Sequence, residues 1–549
     1  MSGNTKTTKF KRFQWIIPLF LVSLVYILDS RFFTSPPLRS DDWSQYVLQI
    51  VFNRIPFFDL TSRRPLLTSL MALVSPVIGL KIQWYYVLNW LLLLLSAVIV
   101  YQIVRQAFPR KPWLALPVAL IFLIYPVNNA RTWLVVINNT FALLLALVSI
   151  LLLIHYHRSG KIYQLLVANL LFLISLLTYE AALGLVMFAA LILVIFPEKS
   201  RRKRRWALFS IFLTGALFVL WRLILQPQLV NLQDSYITNL ETTLNVLFSR
   251  YGLGLFTFLF TWTGPLLLGF DDQKYWVFLG ICLAILAGLL AFVPRALRAA
   301  KGNTNFPRAE RVKQEKELLV ISLIGALAWA AGYIPVIALW SPTFYGDSSR
   351  VNFSSIFGGA LALVALIAFI ITFFANRKEQ VGRILLIAAI LLVLLGMGNQ
   401  VYAQNKRVAA WEESKSFWQA LFVEAPNLKN GTELVIVIPN YQKLGPYEML
   451  PFRGNWDVDA ALKVLYNNQD LTAEHYYMDS LAITENWIPV DGDYSQAVFV
   501  YFQPEEGRVR LIENPVTALN LSIQVTGYAP ESRITDPVEE TDAYRGLVD

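Results

Sequence analysis

The sequence predicts a polytopic α-helical membrane protein carrying a C-terminal α+β domain outside the membrane, on three observations. Of the 549 residues, 56% are hydrophobic and 15% charged, against about 45–50% and 25% in an average soluble domain. Long apolar runs recur from residue 14 to residue 402, each near the roughly 20 residues a helix needs to cross a bilayer. Finally, the net charge of +10 divides into +21 up to residue 402 and −11 beyond it. The basic excess therefore belongs to the membrane part and reads as topology, not as a nucleic-acid surface. The mean hydropathy of +0.50 excludes an ordinary soluble enzyme. The one cysteine, Cys282, makes no intramolecular disulfide, so cysteine usage says nothing about compartment.

Taken in order, the expected crossings are 14–29, 83–104, 113–128, 132–154, 162–178, 181–196, 206–226, 275–294, 318–340, 353–375 and 382–402, about eleven in all. The first lacks a small-residue cleavage site and is followed by Asp29, Arg31 and two phenylalanines, which predicts an uncleaved anchor. Lys6, Lys9, Lys11 and Arg12 place the N-terminus in the cytoplasm by the positive-inside rule. The loops holding Arg105, Arg110 and Lys111, then Arg158 and Lys161, then Lys199 to Arg205, and then Arg295 to Lys316 follow it there. That register holds when 65–80 and 248–269 are interfacial or re-entrant pieces, a form tolerated where irregular backbone is buried in protein or lines a cavity. The loops 30–82, 227–274 and 341–352 and everything after residue 402 then face outward, from an integral, multi-pass cytoplasmic (plasma) membrane protein.

Three regions follow: a membrane module, 1–402; an extracytoplasmic α+β domain, 403–530; and an acidic tail, 531–549, whose composition predicts disorder. In the outer domain, Trp411 to Phe422 reads as a helix. Leu434 to Ile438, Ala497 to Tyr501 and Leu519 to Val525 read as strands between turn residues.

Candidate chemistry gathers in the outward loops. Asp41-Asp42, in the string Ser40-Asp41-Asp42-Trp43, offers a carboxylate to take a proton from an acceptor hydroxyl, with a neighbour to tune it or share a metal. The competing role, ahead on the pair alone, is an N-cap by Ser40 or Asp41 for an amphipathic helix Trp43 to Phe52. Ser62-Arg63-Arg64-Pro65-Leu66 sets guanidiniums on the outward side against the general charge bias, suited to a phosphate clamp or to a headgroup anchor. Arg131 and Arg350 pose the same choice. Arg222 falls within an apolar run, where an ionisable residue is expensive and functional by default unless it snorkels to the outer end. Glu180, in the short join Tyr179-Glu180, either caps the second helix or faces a polar cavity. Asp271-Asp272 reads as a solvated turn, and Asp347 as a cap. His155 and His157 fall on the cytoplasmic side and His475 in the outer domain, so the histidines form no metal site. Neither a Walker-type loop, a Gly-x-Gly-x-x-Gly after a strand nor a Gly-x-Ser-x-Gly occurs. Any activated donor is therefore expected through the lipid.

The order of these features resembles the type C (GT-C) membrane glycosyltransferases, which use polyprenyl-phosphate-linked sugars and carry an acidic pair in the first outward loop, as Asp41-Asp42 does here. It is most similar to bacterial relatives of the tetratricopeptide-containing transmembrane O-mannosyltransferases. Arg64-Pro65-Leu66, Ile78-Gly79-Leu80 and Tyr85-Tyr86-Val87-Leu88-Asn89 line up with that group's Arg-Pro-Leu, glycine turn and Tyr-His-x-x-Asn helix. Tyr125-Pro126 through Trp133 and Leu177-Thr178-Tyr179-Glu180 match its His-Pro and Ser-Lys-Glu strings, with Tyr125 in place of histidine and Tyr179 in place of lysine. No tetratricopeptide repeat follows.

The resemblance implies a GT-C-like arrangement and an inverting transfer of a hexosyl or pentosyl group from a polyprenyl-phosphate-linked donor to a hydroxyl of a glycan, lipid or protein acceptor at the outer membrane face. Asp41 would be the general base, and Asp42 its support or the ligand of a divalent cation (Mg or Mn). Arg64, Arg131 and Arg350 would meet the lipid phosphate, with Arg222 a further substrate contact and Glu180 lining the same cavity. Two other classes compete: a transporter or flippase of a lipid-linked saccharide, which would show paired, broken halves, and a scaffold. Convergence of loops 30–82, 174–182 and 341–352 on one place discriminates against the scaffold.

Overall fold

The computed structural model describes residues 18–20, 22–23, 36–38, 41–60, 62, 64–126, 133–195, 201–225, 240–262, 308–337, 342–343, 347–374, 378–439, 451–452, 454–478, 494–513, 527–535 and 542–548. Among these, six helices are long and apolar enough to cross a membrane: Ile82–Ala107, Leu134–Ser159, Arg202–Ile224, Ala309–Ile337, Ser349–Phe374 and Val381–Glu424. The crossings expected at 113–128, 162–178 and 181–196 are shorter apolar helices, Pro112–Ile124, Ile162–Thr178 and Glu180–Leu191. Most of 14–29 and all of 275–294 lie outside the described residues. The piece at 65–80 holds the helix Ser69–Ile78, whose 10 residues include Pro76. Residues 263–269 of the other interfacial or re-entrant candidate, 248–269, lie outside the described residues, and 248–260 belong to the helix Leu240–Phe260. Its Tyr251 hydroxyl donates to the Ala330 carbonyl at 3.0 Å, and its Phe258 ring meets Trp329.

Small residues let the bundle close. A Cβ on Gly358 would lie 2.2 Å from the Trp329 backbone nitrogen, and one on Gly325 would lie 2.4 Å from that of Ala362. The helices Arg308–Ile337 and Ile356–Phe374 thus touch backbone to backbone, the close approach that small residues permit in membranes.

The helices run so that their basic ends collect on one side of the bundle. There Gln106 lies 3.0 Å from His155, Arg158 donates to the Gln106 carbonyl at 2.7 Å, and Lys111 pairs with Glu317 at 3.3 Å. The opposite side carries the residues of the first loop and the C-terminal domain.

No break separates membrane from outer domain at residue 403. The expected crossing 382–402 and the expected helix Trp411 to Phe422 are one helix, Lys378–Glu424, of 47 residues. At about 1.5 Å per residue its length is ~70 Å, more than twice the ~30 Å hydrocarbon core, so its second half stands clear and carries Trp411, Phe417, Trp418 and Leu421 into the domain. These side chains share one buried core with Trp43, Tyr46 and Val47 of the first loop, Trp133 to Ile137 of the bundle, and Leu434, Ile436, Val498 and Val500 of the sheet.

That sheet has four strands in the order β2-β1-β3-β4, namely β1 (Glu433–Pro439), β2 (Thr472–Met478), β3 (Ala497–Gln503) and β4 (Arg508–Leu511). β1 pairs in parallel with β2 and β3, and β3 pairs antiparallel with β4. Leu434 to Ile438 are buried throughout, as the centre of a parallel sheet requires. The helix Asn455–Leu465 makes the crossover from β1 to β2, so the expected α+β domain is corrected to a β-α-β arrangement. Its polar flanks, Asn455 and Asn467-Asn468, hid that helix in the sequence. The strand expected at 519–525 lies outside the described residues.

The acidic tail is also corrected. Asp542–Leu547 is helical, and Ala543, Tyr544, Leu547 and Val548 are buried because they fall on one helical face. The Tyr544 ring sits 4.1 Å from that of Phe422.

Candidate functional site

The first loop enters the shared core through a wide helical turn, Trp43–Val47, continued by Leu48–Val51. Burial of Trp43, Tyr46 and Val47 fixes which way the preceding acids point. Asp42 makes no capping hydrogen bond. It is 0% exposed, and its Oδ1 accepts from the Val135 backbone N–H at 2.9 Å. Asp41 is partly open, its carboxylate accepting from the Trp456 indole N–H at 3.0 Å and lying 3.5 Å from Arg350 Nη1. The described contacts of both acids run to residues distant in sequence, and Ser40, the other cap candidate, lies outside the described residues.

Tyr46, one helical turn further on, donates to the Val135 carbonyl at 3.5 Å and accepts from Asn138 Nδ2. Burial, and then the carboxylates of Asp42 and Asp41, hold its hydroxyl well above the usual phenol range, so it stays protonated.

Arg350 belongs to the 3-10 helix Asp347–Ser355, which polar contacts pin to the bundle. Asn352 accepts from the Tyr333 hydroxyl at 2.7 Å and donates to the Thr343 carbonyl at 2.6 Å. Its guanidinium lies over the Trp133 ring, 5.1 Å from the centroid. Stacking of this kind leaves the planar group oriented while its edge still offers N–H donors.

A second ionic group stands beside the first. Arg64 Nε and Nη2 donate to the two oxygens of Glu180, each at 2.7 Å, and the guanidinium lies over Tyr179 at 4.3 Å. Tyr179 thus presents an aromatic face to a cation where the resembling family carries a lysine. Burial raises the Glu180 pKa, but the charge of Arg64 and its hydrogen bonds outweigh that, with a further contribution from Arg222, and hold the carboxyl at about 2. Glu180 therefore resolves between its two sequence readings as an ionised partner of Arg64. The backbone joins the same segments, Leu66 N–H donating to the Leu177 carbonyl at 3.1 Å.

Asp41, Asp42, Arg64, Glu180, Arg222 and Arg350 are thus brought to one end of the bundle, and the three outward loops meet instead of scattering. Arg131 lies outside the described residues. Sequence reasoning missed Tyr46, Trp133, Arg407 and Trp456. Buried Arg407 is in electrostatic reach of Tyr86, as is Asp42, and its place beside Lys406 in a polar stretch gave no signal of that burial. Trp456 carries no local signal, since its partner Asp41 lies 415 residues away. For a divalent cation, no group of three or more His, Cys, Asp or Glu is placed to hold a metal ion among the described residues. One oxygen of Asp42 is held by a backbone N–H, and no step proposed below runs through a metal.

Fold and site together define a polytopic helical membrane protein in which a C-terminal sheet domain closes over an acid and arginine cluster at one end of the bundle. No protein-family model matches the chain, and no match to a curated protein is found. Among solved structures it is similar to the archaeal oligosaccharyltransferase AglB from Archaeoglobus fulgidus, in complex with an inhibitory peptide and a dolichol-phosphate, at 13% identity and a TM-score of 0.42. The match covers 85% of this chain and 65% of that one, so the chain spans less than two thirds of that protein's length.

Proposed function

We propose that this chain is a GT-C-type membrane glycosyltransferase that moves a hexosyl or pentosyl group from a polyprenyl-phosphate-linked donor to an acceptor hydroxyl, with inversion, at the outer face of the cytoplasmic membrane. One observation carries the reading: Asp41, a carboxylate with an open edge, is held where the bundle meets the C-terminal domain, against Arg350 and near Arg64 and Arg222, arginines drawn from two loops and a helix end.

In the proposed reaction Asp41 takes the proton of the acceptor hydroxyl as that oxygen bonds to the anomeric carbon. The bond from the anomeric carbon to the phosphate oxygen breaks, and its electron pair leaves with polyprenyl phosphate. Arg350, standing over Trp133, and Arg222 are the nearest candidates to meet the growing phosphate charge. Arg64 contributes through the edge not used by Glu180. Buried Asp42 acts as a positioning residue, fixing the turn through Val135. The outer domain reaches the reacting carboxylate through Trp456.

The test offers purified protein in lipid nanodiscs a panel of polyprenyl-phosphate sugars. Release of polyprenyl phosphate with an inverted glycoside product is expected. Product of retained configuration would contradict the single inverting step, and no release from any donor would contradict the reading and favour transport of a lipid-linked saccharide.

A further inference from the structure

We infer that a second, non-catalytic site on the outer domain binds a neutral oligosaccharide. This rests on the glycosyltransferase reading only for its purpose, which would be to hold an acceptor glycan.

The site is a depression of about 870 Å³ at the far end of the domain's crossover helix, within the roughly 300–1,000 Å³ usual for ligand sites. Its rim is built from carboxamides, Asn427, Asn430, Asn467, Asn468 and Gln469, with Asp470 beside them. A carboxamide both donates and accepts, which matches sugar hydroxyls that do the same. Asn468 donates to Asn430 at 3.0 Å and accepts from the Asp470 backbone N–H at 3.1 Å, so the rim is partly preorganised. The side chains of Asn467 and Gln469 and the Asp470 carboxylate are exposed and directed to no partner among the described residues. On the wall, Phe422 is held between Tyr466 and Tyr544, with centroids 4.4 and 4.1 Å away, and Phe52 supplies the apolar flank for a sugar's C–H face.

Charge selects against the other ligand classes. The lining holds one cation, Lys429, and one anion, Asp470. The helices Lys378–Glu424 and Asn455–Leu465 both end here, and helix C-termini present carbonyls that repel anions. A neutral, hydroxyl-rich ligand fits this lining; a phosphate or nucleotide does not.

Position ties the pocket to Asp41. The helix Asn455–Leu465 packs against the turn Trp43–Val47. Trp456 meets Asp41 at one end of this pair, while Leu465, Tyr466 and Phe52 line the pocket at the other. An 11-residue helix is about 16 Å long, a span that an oligosaccharide of a few rings bridges.

Asn467 supplies a clean probe. Its φ is +49°, a conformation glycine adopts without strain, so Asn467→Gly removes the carboxamide and keeps the turn. The experiment measures binding of neutral tri- to hexasaccharides, and of a peptide panel, to the full chain in nanodiscs, for wild type, Asn467→Gly, Gln469→Ala with Asp470→Ala, and Asp41→Asn, with melting temperature recorded for each. Saccharide binding is expected, weakened about tenfold by the pocket variants, as loss of one or two hydrogen bonds gives, while Asp41→Asn is read for donor cleavage alone. Absence of saccharide binding, binding indifferent to the pocket variants, or preference for peptide overturns the inference. Donor cleavage without saccharide binding would remove this site alone. Saccharide binding without donor cleavage would remove the catalytic reading alone.

Discussion

The two ends of the helical bundle use charge in opposite ways. At the basic end Arg110 is 80% exposed, Arg311 pairs with Glu315 within its own helix, and the contacts of Gln106 with His155 and Arg158 join the ends of two helices; of these groups only Lys111, paired with Glu317, is buried. At the other end a half-buried arginine and glutamate 116 residues apart form two short hydrogen bonds, and Asp42 is fully enclosed. Surface pairs contribute about 0–1 kcal/mol, whereas a buried pair is costly to assemble and costlier to halve. Charges that serve only to orient a chain in the membrane need no burial. The partly buried cluster is sustained against its desolvation cost by the packed core that joins first loop, bundle and C-terminal domain, and the proposed chemistry is assigned to it on that ground.

That contrast is open to direct attack. Glu180→Ala would leave half-buried Arg64 without its partner, and a loss of about 2–3 kcal/mol is expected, read as a clear drop in melting temperature in detergent or nanodiscs. Melting close to wild type would show that the pair is not structural. Gly358→Ala, which must displace the Trp329 backbone, should cost about 1–3 kcal/mol as overpacking, and compensating Trp329 side-chain changes should not restore it because the clash is with main chain.

The outer domain gives a pH handle. Burial holds the His475 pKa at about 4, below its ordinary 6.5, so the fold favours the neutral ring and the unfolded chain binds the extra proton first. Stability contributed by the neutral ring is complete above about pH 6.5 and declines as pH falls toward 4. His475→Gln should flatten that decline in a thermal melt taken across pH 4 to 7, and an unchanged slope would assign it to other groups. Smallest of all, Arg110→Ala at the basic end should stay within about 0.5 kcal/mol of wild type; a larger loss would break the distinction between the ends.

Much of the membrane part was legible in the sequence, because a run of some 20 apolar residues has few other uses. Asp41, Asp42, Arg64, Glu180, Arg222 and Arg350 were also legible, since charges in or beside apolar runs stand out against their surroundings. The rest depended on what periodicity does not record. The polar stretch Asn399 to Lys406 concealed that one helix runs from Lys378 to Glu424. The tail's acidic composition concealed a short buried face around Tyr544. Trp456 was invisible because nothing near it in sequence marks it, and only the packing of helix Asn455–Leu465 on the first loop brings it to Asp41.

The central claim is that Asp41 is the base and Asp42 its support, and polyprenyl phosphate release by wild type, Asp41→Asn and Asp42→Asn in nanodiscs tests it most directly. The account predicts that Asp41→Asn loses about 10²–10⁴-fold in turnover while melting as wild type does, and that Asp42→Asn loses activity together with stability. Near-normal turnover by Asp41→Asn, or loss confined to Asp42→Asn without change in melting, would contradict it.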